Sequence, residues 1–258
     1  MSYDTITYDV TQDVATLTLN RPDVMNGLNA QMRLDLLHAV RRAPDEARVI
    51  VLTGAGRGFC SGQDLGDRVR ASDIDLERTL REEYEPLLKA IYDCPVPTIA
   101  AVNGPAAGAG ANLALAADVV IAARSAYFIQ AFARIGLIPD AGGTYWLPRQ
   151  MGFAKAMGAA LFADKISADQ AADWGMIWEA VADDTFGDTV KARALHLAQG
   201  PTRTYGLIKQ ALRQTYDNGL ETQLGVEAEL QGQAGKTRDF LEGVMAFMEK
   251  RPAKYEGR

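Results

Sequence analysis

The sequence contains few residues whose side chains form disulfides or bind metals. Cys60 and Cys94 are its only cysteines, and His38 and His196 are its only histidines. Two cysteines this far apart exclude a disulfide framework and a thiolate metal site, so we expect a reducing compartment and no bound metal. Both histidines lie in helical patterns far from any glycine-rich turn, which favours structural or surface roles. No histidine is therefore placed to form a catalytic triad with Ser61.

Charge and hydropathy exclude two further classes of protein. The chain has 27 Lys and Arg against 33 Asp and Glu, a net charge of -6, so no general basic field attracts nucleic acid or an anionic membrane. No apolar run approaches the roughly 20 residues of a membrane-spanning helix. The N-terminal residues lack the basic and apolar segments of a secretory signal, so we expect a cytoplasmic location.

Glycine-rich turns occur three times, each after an apolar segment and before a helical pattern. They are residues 54–65 (GAGRGFCSGQDL), residues 103–110 (NGPAAGAG) and residues 136–144 (GLIPDAGGT). In the second turn, small residues leave the N–H groups of the following helix open to a ligand, which favours negative charge there. Each unit is too small to bury its own apolar face. We therefore predict a stacked α/β spiral of strand-strand-helix units, with ligand chemistry where the turns converge.

The periodicity between these turns places the main elements. Residues 5–19 alternate as a β-hairpin, and Asn29 is placed as the N-cap of an amphipathic helix. Residues 49–52 are wholly apolar, which predicts a strand in a sheet covered on both faces, and the spacing of apolar residues predicts a helix over residues 76–92. Residues 66–75 are charged and lack a period, so a mobile loop is predicted there. We divide the chain into a spiral core at residues 1–200 and a helical C-terminal region at residues 201–258, whose last helix carries an apolar stripe.

In this order and spacing, the segments GRGFCSGQDL, NGPAAGAG and GLIPDAGG resemble the enoyl-CoA hydratase/isomerase (crotonase) superfamily. The resemblance implies a crotonase-like α/β spiral with a helical C-terminal subdomain. It also implies an acyl-CoA thioester as substrate and no separate cofactor. On this sequence the thioester oxygen falls between the backbone N–H groups of Gln63 and Ala109, beside Gly62, Gly108 and Gly110. Two such donors stabilise the oxyanion of an enolate.

The resemblance also bears on the catalytic base. Hydratases of this superfamily place two glutamates near the substrate, and the matching positions here are Asn112 and Phe132, which accept no proton. The resemblance implies that these two residues and Gly142 contact the substrate. Asp140, close to Gly142, remains; it matches the aspartate of the phenylacetate-pathway isomerases, which the segments GRGFC, LIPD and WGMIW also resemble. One carboxylate can move a proton between two carbons, so isomerisation is predicted. Hydration and thioester binding without catalysis are the alternatives, and locally Asp140 is equally typical of a turn cap.

Residues outside the turns complete the expected site. Arg21, Arg57, Lys254 and Tyr255 resemble the groups that hold the nucleotide end of coenzyme A, although isolated basic residues are more often solvated. Tyr145 and Trp146 are expected in the core or in the wall of an acyl pocket. The C-terminal helices resemble the trimerisation region of the family, which implies a homotrimer or a hexamer of two trimers.

Overall fold

A computed structural model describes residues 3–64, 66 and 75–257. The strands are β1 (Ile6–Thr11), β2 (Val14–Leu19), β3 (Val49–Gly54), β4 (Thr98–Val102), β5 (Ala106–Ala107), β6 (Val119–Ala123), β7 (Tyr127–Ile129), β8 (Ile166–Ser167) and β9 (Glu179–Val181). The α-helices are α1 (Ala30–Arg42), α2 (Leu76–Thr79), α3 (Glu85–Tyr92), α4 (Ala109–Leu115), α5 (Gly143–Met151), α6 (Phe153–Phe162), α7 (Ala168–Asp173), α8 (Phe186–Ala198), α9 (Thr202–Gln214), α10 (Leu220–Ala234) and α11 (Arg238–Glu249). The arrangement is the mixed α/β fold that was predicted.

The larger sheet has the strand order β1-β2-β3-β4-β6-β9, and a smaller one has the order β5-β7-β8. Strands β1 and β2 form the predicted antiparallel hairpin, closed by Gln12 and Asp13, which both have positive φ. A two-residue turn with positive φ at both positions matches the right-handed twist of the two strands that it joins. The other strands of the larger sheet run parallel. Their carboxyl ends therefore lie at one edge of the sheet, where the first two glycine turns begin after β3 and β4.

Strand β3 shows why this sheet needs cover on both faces. Its residues Ile50 and Leu52 pack into the main core, whereas Val49 and Val51 pack into a second cluster that includes Val190 of α8. A wholly apolar strand is stable only when both of its faces are buried, as was predicted for this segment. The helices thus sandwich the parallel sheet and hold its carboxyl edge in place.

The first helices begin as the sequence predicts. The Asn29 side chain accepts a hydrogen bond from the N–H of Met32 and caps α1. The helix predicted over residues 76–92 consists of α2, a π-helical turn at Leu80–Tyr84 and α3. The mobile loop predicted at residues 66–75 falls mostly on residues 67–74, outside the described residues.

The C-terminal segment packs against the amino end of β3. Arg48, directly before β3, donates to the carbonyl of Tyr255 and to the hydroxyl of Thr202. The N–H groups of Glu256 and Gly257 both donate to the carboxylate of Asp239. Helix α11 carries the predicted apolar stripe, which is exposed in the single chain. Within the described residues, no helix combines the length and the apolar character needed to cross a membrane.

Candidate active site

The first two glycine turns lie against each other. The N–H of Ala107 donates to the carbonyl of Cys60 at 2.9 Å, and a short β-bridge joins Cys60 to Ala106. Gly62 has φ +92°, and a Cβ at that position would lie 2.7 Å from the carbonyl oxygen of Ala107 and 3.4 Å from the nitrogen of Ala109. Only glycine permits this approach. The close contact brings residues 62 and 63 beside the start of α4.

The N–H groups of Gln63 and Ala109 have no hydrogen-bond acceptor among the described residues. Nearly all buried backbone N–H groups are paired in proteins, so two unpaired ones in adjoining turns suggest a ligand oxygen. Gly110 allows the packing behind them, because a Cβ there would lie 2.5 Å from the carbonyl oxygen of Cys60. The ring of Phe132 lies in front of Gly108, 3.5 Å from the position of a Cβ. The pair can therefore bind a thioester oxygen as an oxyanion hole.

Cys60, at the contact between the first two turns, is fully buried. Its thiol is 3.1 Å from the carbonyl oxygen of Asn26, and burial raises its pKa to about 12. A thiol with this pKa is not nucleophilic near neutral pH.

The third turn presents Asp140. Its carbonyl accepts hydrogen bonds from the side chain of Asn112 at 2.7 Å and from the N–H of Gly143 at 2.8 Å. Gln130 donates to the other end of the Asn112 amide at 2.8 Å. Asn112 was predicted to contact the substrate, but it is fully buried and engaged at both ends. Its side chain instead braces the turn that carries Asp140.

The carboxyl group of Asp140 makes no hydrogen bond within the described part of the chain, and its Oδ1 is buried. It therefore caps no turn there, contrary to the alternative that the local sequence allowed. Burial raises its pKa to about 6. A carboxyl group with such a pKa can both accept and return a proton near neutral pH.

Asp140 lines an apolar cavity of about 530 Å³ between the helices at residues 76–92 and the third turn. The other side chains of its wall include Leu80, Tyr84, Leu88, Tyr92, Ile138, Tyr145 and Trp146. Gly142, with φ +82°, also lines the cavity, and a Cβ there would lie 2.3 Å from Nε1 of Trp146. Tyr145 and Trp146 therefore occupy the predicted wall. The cavity offers room for an apolar acyl group beside the carboxyl of Asp140, whereas the other carboxylate of its lining, that of Glu85, is paired with Lys89.

The side chain of Gln63 is held by two residues that the sequence did not single out. Its Oε1 accepts from the hydroxyl of Tyr84 at 2.6 Å and from Arg33 at 3.1 Å. Burial raises the pKa of Tyr84, so its hydroxyl stays protonated and donates. In the sequence, a role for Arg33 inside the protein is indicated only by its position four residues before the apolar Leu37, on the inner face of an amphipathic helix.

The predicted coenzyme A residues are not brought together in a single chain. Arg21 is paired with the carboxylate of Asp64 at 2.7 Å and donates to the carbonyl of Gly27 at 2.6 Å, so its charge is already compensated. Arg57 is exposed in the first turn, where its Nε lies 3.3 Å from Sδ of Met25. It remains available to a phosphate.

Lys254 and Tyr255 lie near the amino end of β3, away from the glycine turns of their own chain. Tyr255 contacts Arg48 before β3, whereas the turns follow the carboxyl ends of the strands. The six residues of β3 separate the two ends by about 17 Å. Among the described residues, no group of three or more His, Cys, Asp or Glu side chains could hold a metal ion.

Comparison with known proteins agrees with this arrangement. A family model described as enoyl-CoA hydratase/isomerase matches residues 9–258. A Rhodobacter capsulatus protein named probable enoyl-CoA hydratase is 62% identical over 258 residues, 100% of both chains. The 1,2-epoxyphenylacetyl-CoA isomerase of Escherichia coli is 49% identical over 96% of this chain and 97% of that protein.

A solved structure gives the same result for the fold. The enoyl-CoA hydratase from Bacillus anthracis has a TM-score of 0.90 at 32% identity, and the match covers 99% of this chain and 100% of that one. Since the family model also covers nearly all of the sequence, the chain belongs to the enoyl-CoA hydratase/isomerase (crotonase) family and has its α/β fold with a helical C-terminal portion.

Proposed function

We propose that this enzyme is an acyl-CoA isomerase that converts 2-(1,2-epoxy-1,2-dihydrophenyl)acetyl-CoA to the seven-membered oxepin thioester. The observation that carries the proposal is an unpartnered carboxyl, that of Asp140, in an apolar cavity that Tyr84 also lines, where the Tyr84 hydroxyl donates to Gln63. Gln63 and Ala109 carry the two unpaired backbone N–H groups. Isomerisation needs one group that removes a proton and returns it elsewhere on the same molecule. No atom is added or lost.

In this mechanism Asp140 removes a proton from the carbon next to the thioester carbonyl. The electron pair left on that carbon moves toward the carbonyl, and the resulting oxyanion accepts from the N–H groups of Gln63 and Ala109. Each donor of this kind contributes about 3 kcal/mol to stabilising the transition state. The bond between the two epoxide carbons breaks, which joins the two rings into one seven-membered ring, and the proton on Asp140 returns to a different carbon. The raised pKa of Asp140 suits both roles, because a carboxyl with a pKa of about 6 can serve as the base and, once protonated, as the acid near neutral pH.

Hydration is the second candidate, because the Rhodobacter capsulatus relative is named as a hydratase. Adding water requires a second group to activate or position the water molecule. The two positions where such a group is expected hold Asn112, whose amide is engaged on both sides, and Phe132, whose ring faces Gly108. Isomerisation is therefore favoured over hydration.

The cavity also favours an acyl group that contains a ring. Tyr92, Tyr145 and Trp146 pack edge to face or tilted, with ring centroids 4.7–6.3 Å apart. Such a wall provides apolar contact for a six- or seven-membered ring. The name of the Escherichia coli relative supports the same substrate class.

The test is incubation of the purified protein with a 3-enoyl-CoA in deuterated water, with Asp140→Asn in parallel. Mass spectrometry then follows the double-bond position and the label. A shift of the double bond to the 2-position that is lost in the variant supports the proposal and justifies testing the epoxide. Formation of 3-hydroxyacyl-CoA from a 2-enoyl-CoA would instead favour the hydratase. Binding without turnover across aliphatic and aromatic thioesters would favour a non-catalytic protein.

A further inference from the structure

Arg33 is a buried cation that the proposed reaction does not use. Its side chain is among the largest that are fully buried in the described residues, with a residue exposure of 2%. Nε and Nη2 donate to the carboxylate of Glu83, at 2.9 Å for Nε. Nη1 donates to the carbonyl of Leu28 at 2.6 Å and to Oε1 of Gln63 at 3.1 Å. Burying a guanidinium carries a large desolvation cost, so we ask what its contacts with Gln63 do for the site.

The contacts of Arg33 lead to the peptide group that carries the Gln63 N–H. Leu28 and Gln63 form an isolated parallel bridge, in which the N–H of Leu28 donates to the carbonyl of Gly62 at 2.8 Å. The carbonyl of Gly62 and the N–H of Gln63 belong to one peptide group. A hydrogen bond to the carbonyl end fixes the direction of that group and strengthens the N–H at its other end as a donor.

Tyr84 holds the same residue from the cavity side. Its hydroxyl donates to Oε1 of Gln63 at 2.6 Å, and its ring centroid lies 4.8 Å from the guanidinium carbon of Arg33. Tyr84 is buried, with an exposure of 3%, and lines the acyl cavity together with Asp140. Gln63 is thus clamped through its side chain by two donors and through its backbone by Leu28.

We propose that Arg33 and Tyr84 are positioning residues that hold the Gly62–Gln63 peptide with its N–H directed at the thioester oxygen. The inference rests on the proposed function, in which this N–H is an oxyanion donor. Neither side chain touches the reacting atoms. Both act through Gln63, because a misplacement of about 1 Å at such a donor costs about 100-fold in rate.

The test uses the full chain with Arg33→Met, Arg33→Lys and Tyr84→Phe. The probe is phenylacetyl-CoA labelled with ¹³C at its carbonyl, and difference infrared spectroscopy measures the carbonyl stretch of the saturated complex. In the wild type the stretch should move to lower frequency, because donated hydrogen bonds weaken the C=O bond. The shift should shrink in Arg33→Met and Tyr84→Phe and recover in part in Arg33→Lys.

Kinetics on the 3-enoyl-CoA provide the second measurement. We expect kcat to fall about 10-fold in Tyr84→Phe and up to about 100-fold in Arg33→Met, with KM changed less than about 3-fold. Matched controls are Arg124→Met, which removes an exposed guanidinium paired with Asp169, and Tyr8→Phe, which removes a hydroxyl that donates to Glu46 at 2.7 Å. Both controls should keep the wild-type stretch and kcat.

The outcomes separate this inference from the proposed function. An unchanged carbonyl stretch in folded Tyr84→Phe and Arg33→Met overturns the inference, as does a loss confined to KM. If Arg33→Met does not fold, Tyr84→Phe decides alone. Absence of a carbonyl shift in the wild type also overturns it. If the carbonyl stretching frequency depends on Arg33 and Tyr84 but the protein isomerises no thioester, the inference stands and the proposed function is wrong.

Discussion

Replacing Asp140 with asparagine should stabilise the folded protein near neutral pH while abolishing isomerisation. Burial raises the pKa of this carboxyl from its ordinary value of 3.8 to about 6, because the apolar cavity disfavours the charged form. Between these two values the folded state binds more protons than the unfolded state does. The contribution of Asp140 to stability is thus most favourable below pH 3.8, and it is lost as the pH rises through 6.

The size of this effect follows from the two pKa values. A difference of about two units corresponds to at most about 3 kcal/mol, since each unit is worth 1.36 kcal/mol. Asp140 is only partly buried, so solvent screening lowers the expected effect to about 1–3 kcal/mol. For a chain of this length, each kcal/mol raises Tm by about 2–4 °C. Asp140→Asn should therefore melt about 2–12 °C above the wild type at pH 8.

Urea unfolding at pH 8, 6 and 4.5 measures the difference in the free energy of unfolding. The gain should be full at pH 8, almost as large at pH 6 and reduced to about a third at pH 4.5. Asp217→Asn, an exposed aspartate, is the matched control and should change stability by less than about 0.5 kcal/mol at each pH. An Asp140→Asn protein that is no more stable than the wild type at pH 8, or equally stabilised at pH 4.5, would refute the argument from burial.

Three further outcomes are expected. Gly62→Ala forces a Cβ to 2.7 Å from a carbonyl oxygen at φ +92°, so kcat should fall more than about 100-fold in a protein whose circular dichroism is unchanged. Tyr92 borders both the acyl cavity and a second cavity of about 510 Å³, so Tyr92→Ala should raise kcat/KM for an octenoyl thioester relative to phenyl-substituted ones by about 10-fold. Phe247 is 85% exposed on the apolar stripe of α11, so analytical ultracentrifugation should find a trimer or hexamer in the wild type and smaller species in Phe247→Glu.

The sequence predicted those parts of the fold that depend on local patterns. The hairpin, the buried strand β3 and the cap at Asn29 follow from alternation, from an apolar run and from one polar side chain before an amphipathic helix. The place where the turns meet also followed, because the carboxyl ends of parallel strands lie at one edge of a sheet. These inferences need no knowledge of contacts between distant side chains.

The roles of individual polar side chains were harder to predict. Asn112 was expected to contact the substrate, yet its amide donates to the carbonyl of Asp140 and accepts from Gln130. Arg21 was expected to hold the nucleotide end of coenzyme A, but in the structure it is paired with the carboxylate of Asp64. In both cases the partner is 18 or more residues away along the chain, so no local pattern reveals the pairing.

The geometry of the site sets two demands that oppose each other. A carboxyl without partners and two unpaired N–H groups each lower stability, but the same groups must stay unpaired to receive a thioester and its proton. Neighbouring residues bind the other polar atoms of Asp140 and Gln63. Asn112 donates to the carbonyl of Asp140, and Arg33 and Tyr84 donate to the side chain of Gln63. The carboxyl of Asp140 and the N–H groups of Gln63 and Ala109, which the isomerisation requires, are thereby left to the ligand.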